Sequence, residues 1–237
     1  MKTINYPVLL LSLLIMFSSC EKEDIDIFII EGQIRDDLSN QPIEGVHISV
    51  DAIKSPSGMG IITDGKRKRV GEATTDKNGY YKARLKVFQE AQLLEISINE
   101  NNKKEGYTDG YIDASLSTLN KGGSTNFSHT LSPTATLKIK FVNASPQTDA
   151  DKFMLNWCNC GQGLTKGIIK RESCGTVQES EGGQWIGKNV CGVYTIEAVA
   201  GRKSDFSWYV TKNNETKLYL DSVFVERSVL NEFLINY

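Results

Sequence analysis

Histidine is nearly missing from this chain of 237 residues, which has two, and proline is held to five. Two histidines could barely supply a zinc-ligand set, and they leave little for histidine-based acid–base chemistry. The Gly-x-Ser-x-Gly elbow, His-Glu-x-x-His and phosphate-loop motifs are all absent. Asp76-Lys77-Asn78-Gly79 begins like a calcium loop but lacks the later acidic ligands. The formal net charge is −2, so the strongly basic face that nucleic acid calls for is not there. No catalytic constellation, metal or cofactor is expected from these residues. Beyond the N-terminus no helix-period apolar pattern stands out.

The first residues are a cation (Lys2), an apolar run from Pro7 to Phe17, small residues, and then Cys20. The run is too short to cross a bilayer and has the layout of a secretory signal peptide. Phe17-Ser18-Ser19-Cys20 resembles the lipobox of bacterial lipoproteins, which implies that residues 1–19 are removed and Cys20 carries lipid. Glu21-Lys22-Glu23-Asp24 then resembles the export signal of Bacteroidota surface lipoproteins. Together these imply an outer-membrane protein, lipid-anchored and exposed at the cell surface. Acyl chains hold a soluble body to a membrane at about 0.8 kcal/mol per buried methylene. Residues 20–26 form the acidic tether. The mature chain has 26 basic and 29 acidic residues, and most of the imbalance sits in that tether.

After Cys20, the remaining cysteines are Cys158, Cys160, Cys174 and Cys191, all in the C-terminal half. An even number in an exported protein predicts two disulfides. Cys158 and Cys160 are two apart, and a bond between them in an extended strand would be strained. The expected connectivities therefore join one of that pair to Cys174 and the other to Cys191, each bond contributing on the order of 3 kcal/mol. A four-thiolate zinc site is the competing reading, weakened by the lone Cys174 and Cys191.

Period-2 alternation dominates the rest, as in Val46 to Asp51, Tyr81 to Val87, and Leu94 to Ile98. Strands with one wet face between Gly/Asn/Asp turns predict antiparallel sandwiches. Thr75 to Gly79 reads as a turn. Lys66-Arg67-Lys68-Arg69, following Ser55-Pro56-Ser57-Gly58, reads as a solvated loop tip. Gly32-Gln33-Ile34, then Gln41 to Val46, then Thr74 to Tyr81 resemble the carboxypeptidase regulatory-like domain, apart from a longer insertion between Ala52 and Val70. The resemblance spans 27–132. It implies a transthyretin-like seven-stranded sandwich used as an accessory module, with no catalytic residues to carry over.

A second domain, 133–237, is predicted from Pro133 onward. Its strand candidates are Leu137–Phe141, Phe153–Trp157, Val193–Ala200, Phe206–Thr211, Lys217–Val225 and Val229–Tyr237, and a β-sandwich is again expected. The fold class is thus all-β, two antiparallel sandwiches in series. Within the cysteine-rich stretch, Trp157 and Trp185 are the candidate binding residues, because exposed aromatics bind sugar rings or protein hot spots. Trp185 stands among glycines in Gly182 to Gly187 and is the expected centre of a recognition loop; Trp208, between Phe206 and Val210, is expected in the core. The expected function is a non-catalytic surface lipoprotein that binds a glycan or protein, accessory to nutrient uptake. The alternative is a structural subunit or assembly factor of a surface fibre, similar to fimbrillins; an enzyme ranks below both.

Overall fold

The computed structural model describes residues 25–55, 65–100, 104–157 and 166–237, so Cys20, Cys158 and Cys160 lie outside the described residues. The chain is all-β. The first eight strands are β1 (Ile25–Asp36), β2 (His47–Lys54), β3 (Lys66–Thr74), β4 (Tyr80–Phe88), β5 (Leu93–Ile98), β6 (Gly110–Ser115), β7 (Ser124–Asn126) and β8 (His129–Leu131). The next eight are β9 (Thr134–Val142), β10 (Lys152–Trp157), β11 (Gly167–Ser173), β12 (Trp185–Ile186), β13 (Cys191–Val199), β14 (Arg202–Lys212), β15 (Glu215–Val225) and β16 (Asn231–Asn236). No helix long and apolar enough to cross a membrane occurs among the described residues.

Alternation in the sequence becomes alternation in burial. Tyr81, Ala83, Leu85 and Val87 of β4 are buried while the residues between them face solvent. The turn before β4 is held by Asp76, whose carboxylate accepts the N–H groups of Asn78 and Tyr80 at 2.8 and 2.9 Å. Gly79 there takes φ 74°, a conformation without penalty only for glycine.

Two separate cores form. The first is aliphatic, built on Ile30, Ile34, Ile48, Val50, Leu85, Leu94, Ile96 and Ile98. The second is aromatic, with Phe141, Phe153, Trp185, Tyr194, Phe206 and Trp208 among its members. Sheets β4-β1-β7 and β3-β2-β5-β6 enclose the first, with β8 continuing beside β1 where β7 stops. Sheets β11-β13-β9-β16 and β12-β10-β14-β15 enclose the second.

The two halves share one topology. In each, the first strand pairs antiparallel with the fourth and parallel with the last, as in β1 with β4 and β7, and β9 with β13 and β16. The second strand pairs antiparallel with the third and the fifth, and the fifth with the sixth. β11 is the addition in the second half, attached outside β13 across a bulge between Ile168 and Lys170. The parallel pairings of β7, β8 and β16 refine the expectation of purely antiparallel sheets. Closing each sandwich brings the last strand alongside the first in the same direction.

The basic cluster is not a loop tip. Lys66 to Arg69 open β3, where Asp51 of β2 pairs across from Arg69. Arg69 Nε reaches Asp51 at 2.6 Å, Arg67 Nη2 reaches it at 2.8 Å, and Arg67 also pairs with Glu95. Burial alone would raise the pKa of Asp51, but Arg69 and Arg67 outweigh it and hold the carboxyl below its usual value. The strand places both guanidiniums over the one buried carboxylate on the sheet's outer face, a relation that neighbours in sequence do not reveal.

A polar cluster ties the sandwiches together. Asp36, at the end of β1, is 1 % exposed and accepts from the N–H groups of Leu38 and Ser39, each at 2.9 Å. It also accepts from the Tyr107 hydroxyl at 3.1 Å and from Arg227 Nη1 of the second sandwich at 2.6 Å. Arg202 meets Asp37 at 2.9 Å, and the Ala200 N–H donates to the Pro133 carbonyl at 2.8 Å.

Asp151, just before β10, is fully buried and organises its loop. It accepts from the N–H groups of Gln147 (2.8 Å) and Thr148 (3.0 Å), the Thr148 hydroxyl (3.1 Å) and the Asn143 amide (3.1 Å). Burial alone would raise its pKa. Those donors outweigh burial and push it down from the usual 3.8 to about 2. A folded-state value below the unfolded one means that stability is present above about pH 4 and lost as pH falls toward 2. Melting curves from pH 5 to pH 2 should therefore show an acid limb that Asp151→Asn flattens. An unchanged limb would remove Asp151 from the acid response.

Candidate binding surface

Among the described residues, a disulfide joins Cys174 to Cys191, with Cα atoms 5.3 Å apart. Neither expected connectivity survives, since both assigned these two cysteines to different partners. The reason is the register of β11 on β13. Ser173 lies opposite Gly192, and the Cys174 N–H donates to the Cys191 carbonyl at 3.1 Å, so the two cysteines adjoin at the end of one ladder. A four-thiolate zinc site is incompatible with that bond. Among the described residues, no group of three or more His, Cys, Asp or Glu side chains is placed to hold a metal ion.

Trp185 is not an exposed recognition residue. It is 1 % exposed, on β12, against Phe153 of β10. Its ring meets Phe141 edge-on with centroids 5.1 Å apart, and Phe141 stacks on Phe153 at 4.3 Å. Gly192 makes this possible, because a Cβ there would occupy the space of the Phe141 ring. The indole Nε1–H donates to the Tyr194 hydroxyl at 2.8 Å. That hydroxyl donates to Glu179 at 2.8 Å, and Arg171 holds the same carboxylate at 3.1 Å. Burial first, then Glu179, push the Tyr194 pKa upward. The glycines around Trp185 shape turns that fold the indole inward; composition alone showed a loop, not its direction.

Trp157 is half-buried at the end of β10 and stacks on Phe206 at 6.2 Å. Trp208 is buried and stacks on Tyr219 at 5.5 Å, as its strand position predicted. The Trp185 and Trp208 rings therefore belong to the core, and the open surface is the other face of the sheet that carries them.

That surface is the outer face of sheet β12-β10-β14-β15. Phe153 and Leu155 of β10 and Phe206, Trp208 and Val210 of β14 turn inward, so the residues between them turn out. Register places Met154, Tyr209 and Leu218 in one row across three strands, and Asn156, Ser207 and Leu220 in the next. Asn156, Asp205, Ser207, Leu220 and Ser222 line a groove of about 440 Å³. Lys152, Met154, Gln184, Tyr209 and Thr216 line a neighbouring one of about 290 Å³. Leu218, Leu220 and Phe224 are exposed at 51, 77 and 53 %.

Amide, hydroxyl and carboxylate groups beside an aromatic and an aliphatic strip can recognise a ligand by hydrogen bonding and apolar contact. Both histidines, His47 and His129, belong to the first sandwich, so Ser207 has no imidazole beside it. The sequence offered one signal for this surface: Leu218 and Leu220 alternate with polar residues on a strand candidate, and period-2 spacing cannot say which face meets a facing sheet.

No family model matches the chain, and no curated protein matches it. Among solved structures it is similar to the shaft pilin SpaA from Lactobacillus rhamnosus GG, at 12 % identity over 89 % of this chain and 97 % of that one, with TM-score 0.33. A streptococcal ancillary pilin matches at 12 % identity over 89 % of this chain and 62 % of that one, with TM-score 0.36. The Bacillus anthracis TIE protein matches at 10 % identity over 89 % of this chain and 34 % of that one, with TM-score 0.30. At this level of similarity nothing about function passes from them to this chain.

Proposed function

We propose that this chain is a non-catalytic interaction module, held at the outer membrane by lipid on Cys20 and displayed at the cell surface. In this reading the first sandwich is a carboxypeptidase regulatory-like spacer. The second contacts a glycan or protein through the outer face of β10, β14 and β15. One observation carries it: Leu218, Leu220 and Phe224 stand exposed in a row beside Tyr209 and the Asn156–Ser207 groove. Contiguous exposed apolar surface rimmed by polar groups marks interaction sites.

Two measurements test it. Cys20→Ala should move the protein from the membrane to the soluble fraction, and protease shaving of intact cells should cleave the wild-type chain. Unchanged fractionation removes the anchor. Wild-type protein on a glycan array, or in a quantitative pull-down from outer membranes, should recover a ligand that Leu220→Lys loses. Recovery of the same ligand by Leu220→Lys sinks the assignment of this face.

A second reading, a structural subunit of a surface fibre, is favoured by a different feature. β15 ends its sheet with an edge that no described residue pairs, and strand addition at such edges joins chains. Filaments in electron micrographs of the purified protein would select it over the first.

A further inference from the structure

β15 is an unusual edge strand. It runs eleven residues, against six for β6, which holds the same place in the first sandwich. It pairs with β14 without a bulge from Glu215 to Val225, and no described residue pairs with its other side. Every residue from Glu215 to Asp221 is exposed, on both faces. On the outer face nothing among the described residues covers Leu218 and Leu220, and on the inner face the exposure of Lys217, Tyr219 and Asp221 follows from the facing sheet. It ends at β16, whose Phe233 packs edge-on against Phe206 of β14 at 4.9 Å, so the first half of β15 reaches past it. Edges like this pair with another chain unless blunted by proline, bulges or lysine. β15 has no proline or glycine and a single lysine, Lys217.

We infer that β15 pairs antiparallel with β15 of a second copy of this chain, about a two-fold axis at Tyr219. A two-fold normal to a continuous sheet brings residues i and j opposite each other only when i + j is even, because side chains alternate faces. With the axis at Tyr219, Lys217 faces Asp221 of the second copy, and the symmetry repeats the pair. Leu218 likewise faces Leu220 twice, and Thr216 faces Ser222 twice. Opposite charges and apolar residues meet their kind throughout the centre.

The neighbouring registers lose this. An axis at Leu218 sets Glu215 against Asp221, like charges directly opposite, which is destabilising. An axis at Leu220 sets Lys217 against Val223 and Leu218 against Ser222 near the centre, whereas the axis at Tyr219 leaves its one charge-to-apolar pairing, Glu215 against Val223, at the ends. The chosen register is isologous and closes on itself, joining two four-stranded sheets into one of eight, within the observed range. Four leucines, two from each copy, then cluster on the outer face. The pairing rests on the reading of this sheet as an interaction surface, adds its β15 edge to the outer face described above, and occupies the edge that fibre growth would use.

The test uses purified full-length protein under mild oxidation, read as covalent dimer on non-reducing gels with wild type as background. Opposed residues of an antiparallel pair lie about 4.5–5.5 Å apart between Cα atoms, within disulfide reach. Tyr219→Cys should therefore form dimer. Glu215→Cys should stay at background, because its counterpart lies eight residue positions away along the ladder, about 27 Å. No dimer from Tyr219→Cys, or equal dimer from both, overturns the pairing.

In sedimentation equilibrium, Lys217→Asp should weaken self-association by about tenfold, and adding Asp221→Lys should restore it. A swap that fails to restore it overturns the register. If the copies do not pair but wild type still captures a ligand that Leu220→Lys loses, the pairing falls and the interaction face stands. If Tyr219→Cys links to a different protein, the edge takes a foreign strand and the second copy is wrong.

Discussion

Trp185→Ala should cost about 3–5 kcal/mol of stability, the usual range for removing a large aromatic from a core. The indole fills the angle between the Phe141 ring and the Tyr194 hydroxyl, at 5.1 Å and 2.8 Å. Phe141 is stacked on Phe153 and backed by Gly192, so it has little freedom to collapse into the void. The Tyr194 hydroxyl keeps Glu179 as acceptor but loses its donor. Trp185→Phe should recover part of the loss by refilling volume without the N–H. Urea midpoints measure both. A Trp185→Ala variant with an unchanged midpoint that had lost ligand binding would return Trp185 to the role its glycine neighbours first gave it.

Asp36→Ala should cost about 2–3 kcal/mol and loosen the two sandwiches from each other. The carboxylate serves both levels at once. Within β1 and its turn it accepts from Leu38 and Ser39, and across the junction it accepts from Tyr107 and Arg227. Hydrogen bonds to a charged group are worth about 1.5–3 kcal/mol, and buried donors left without a partner cost more than the bond itself. Arg227 is 40 % exposed in its side chain, so it regains water and the loss stays below that of a fully buried pair. Because each sandwich has its own core, calorimetry should show their transitions moving apart. Asp36→Asn keeps acceptors for the turn and should lose less. A single, unshifted transition in Asp36→Ala would mean that the Arg202–Asp37 pair and the Pro133–Ala200 backbone contact suffice to hold the junction.

Burial opposes ionisation of Asp36, yet the Ser39 and Leu38 N–H groups, Tyr107 and Arg227 hold its carboxyl below the usual value. The junction should therefore weaken as pH falls below about 4, the same direction as at Asp151.

Strand positions were legible because burial on one face writes itself as alternation. Phe206–Thr211 and Lys217–Val225 fall inside β14 and β15, and Phe153–Trp157 inside β10. Two cores form, one from residues before Pro133 and one from residues after it. Alternation says that two faces differ, without saying what covers each. Trp185 reads as a loop aromatic because its neighbours are glycines, yet those turns deliver it to Phe141. Leu218 and Leu220 read as an ordinary strand, yet they lie on the face of β15 turned away from the facing sheet and stay in solvent. Cysteine spacing excluded only a strained bond within Cys158–Cys160, while the partner of Cys174 was decided by the register of β11 on β13. Local residue order determined the strands. Which side chains became core, ion pair or open surface was decided by long-range pairing, because contacts between distant strands leave no periodic trace in either strand alone.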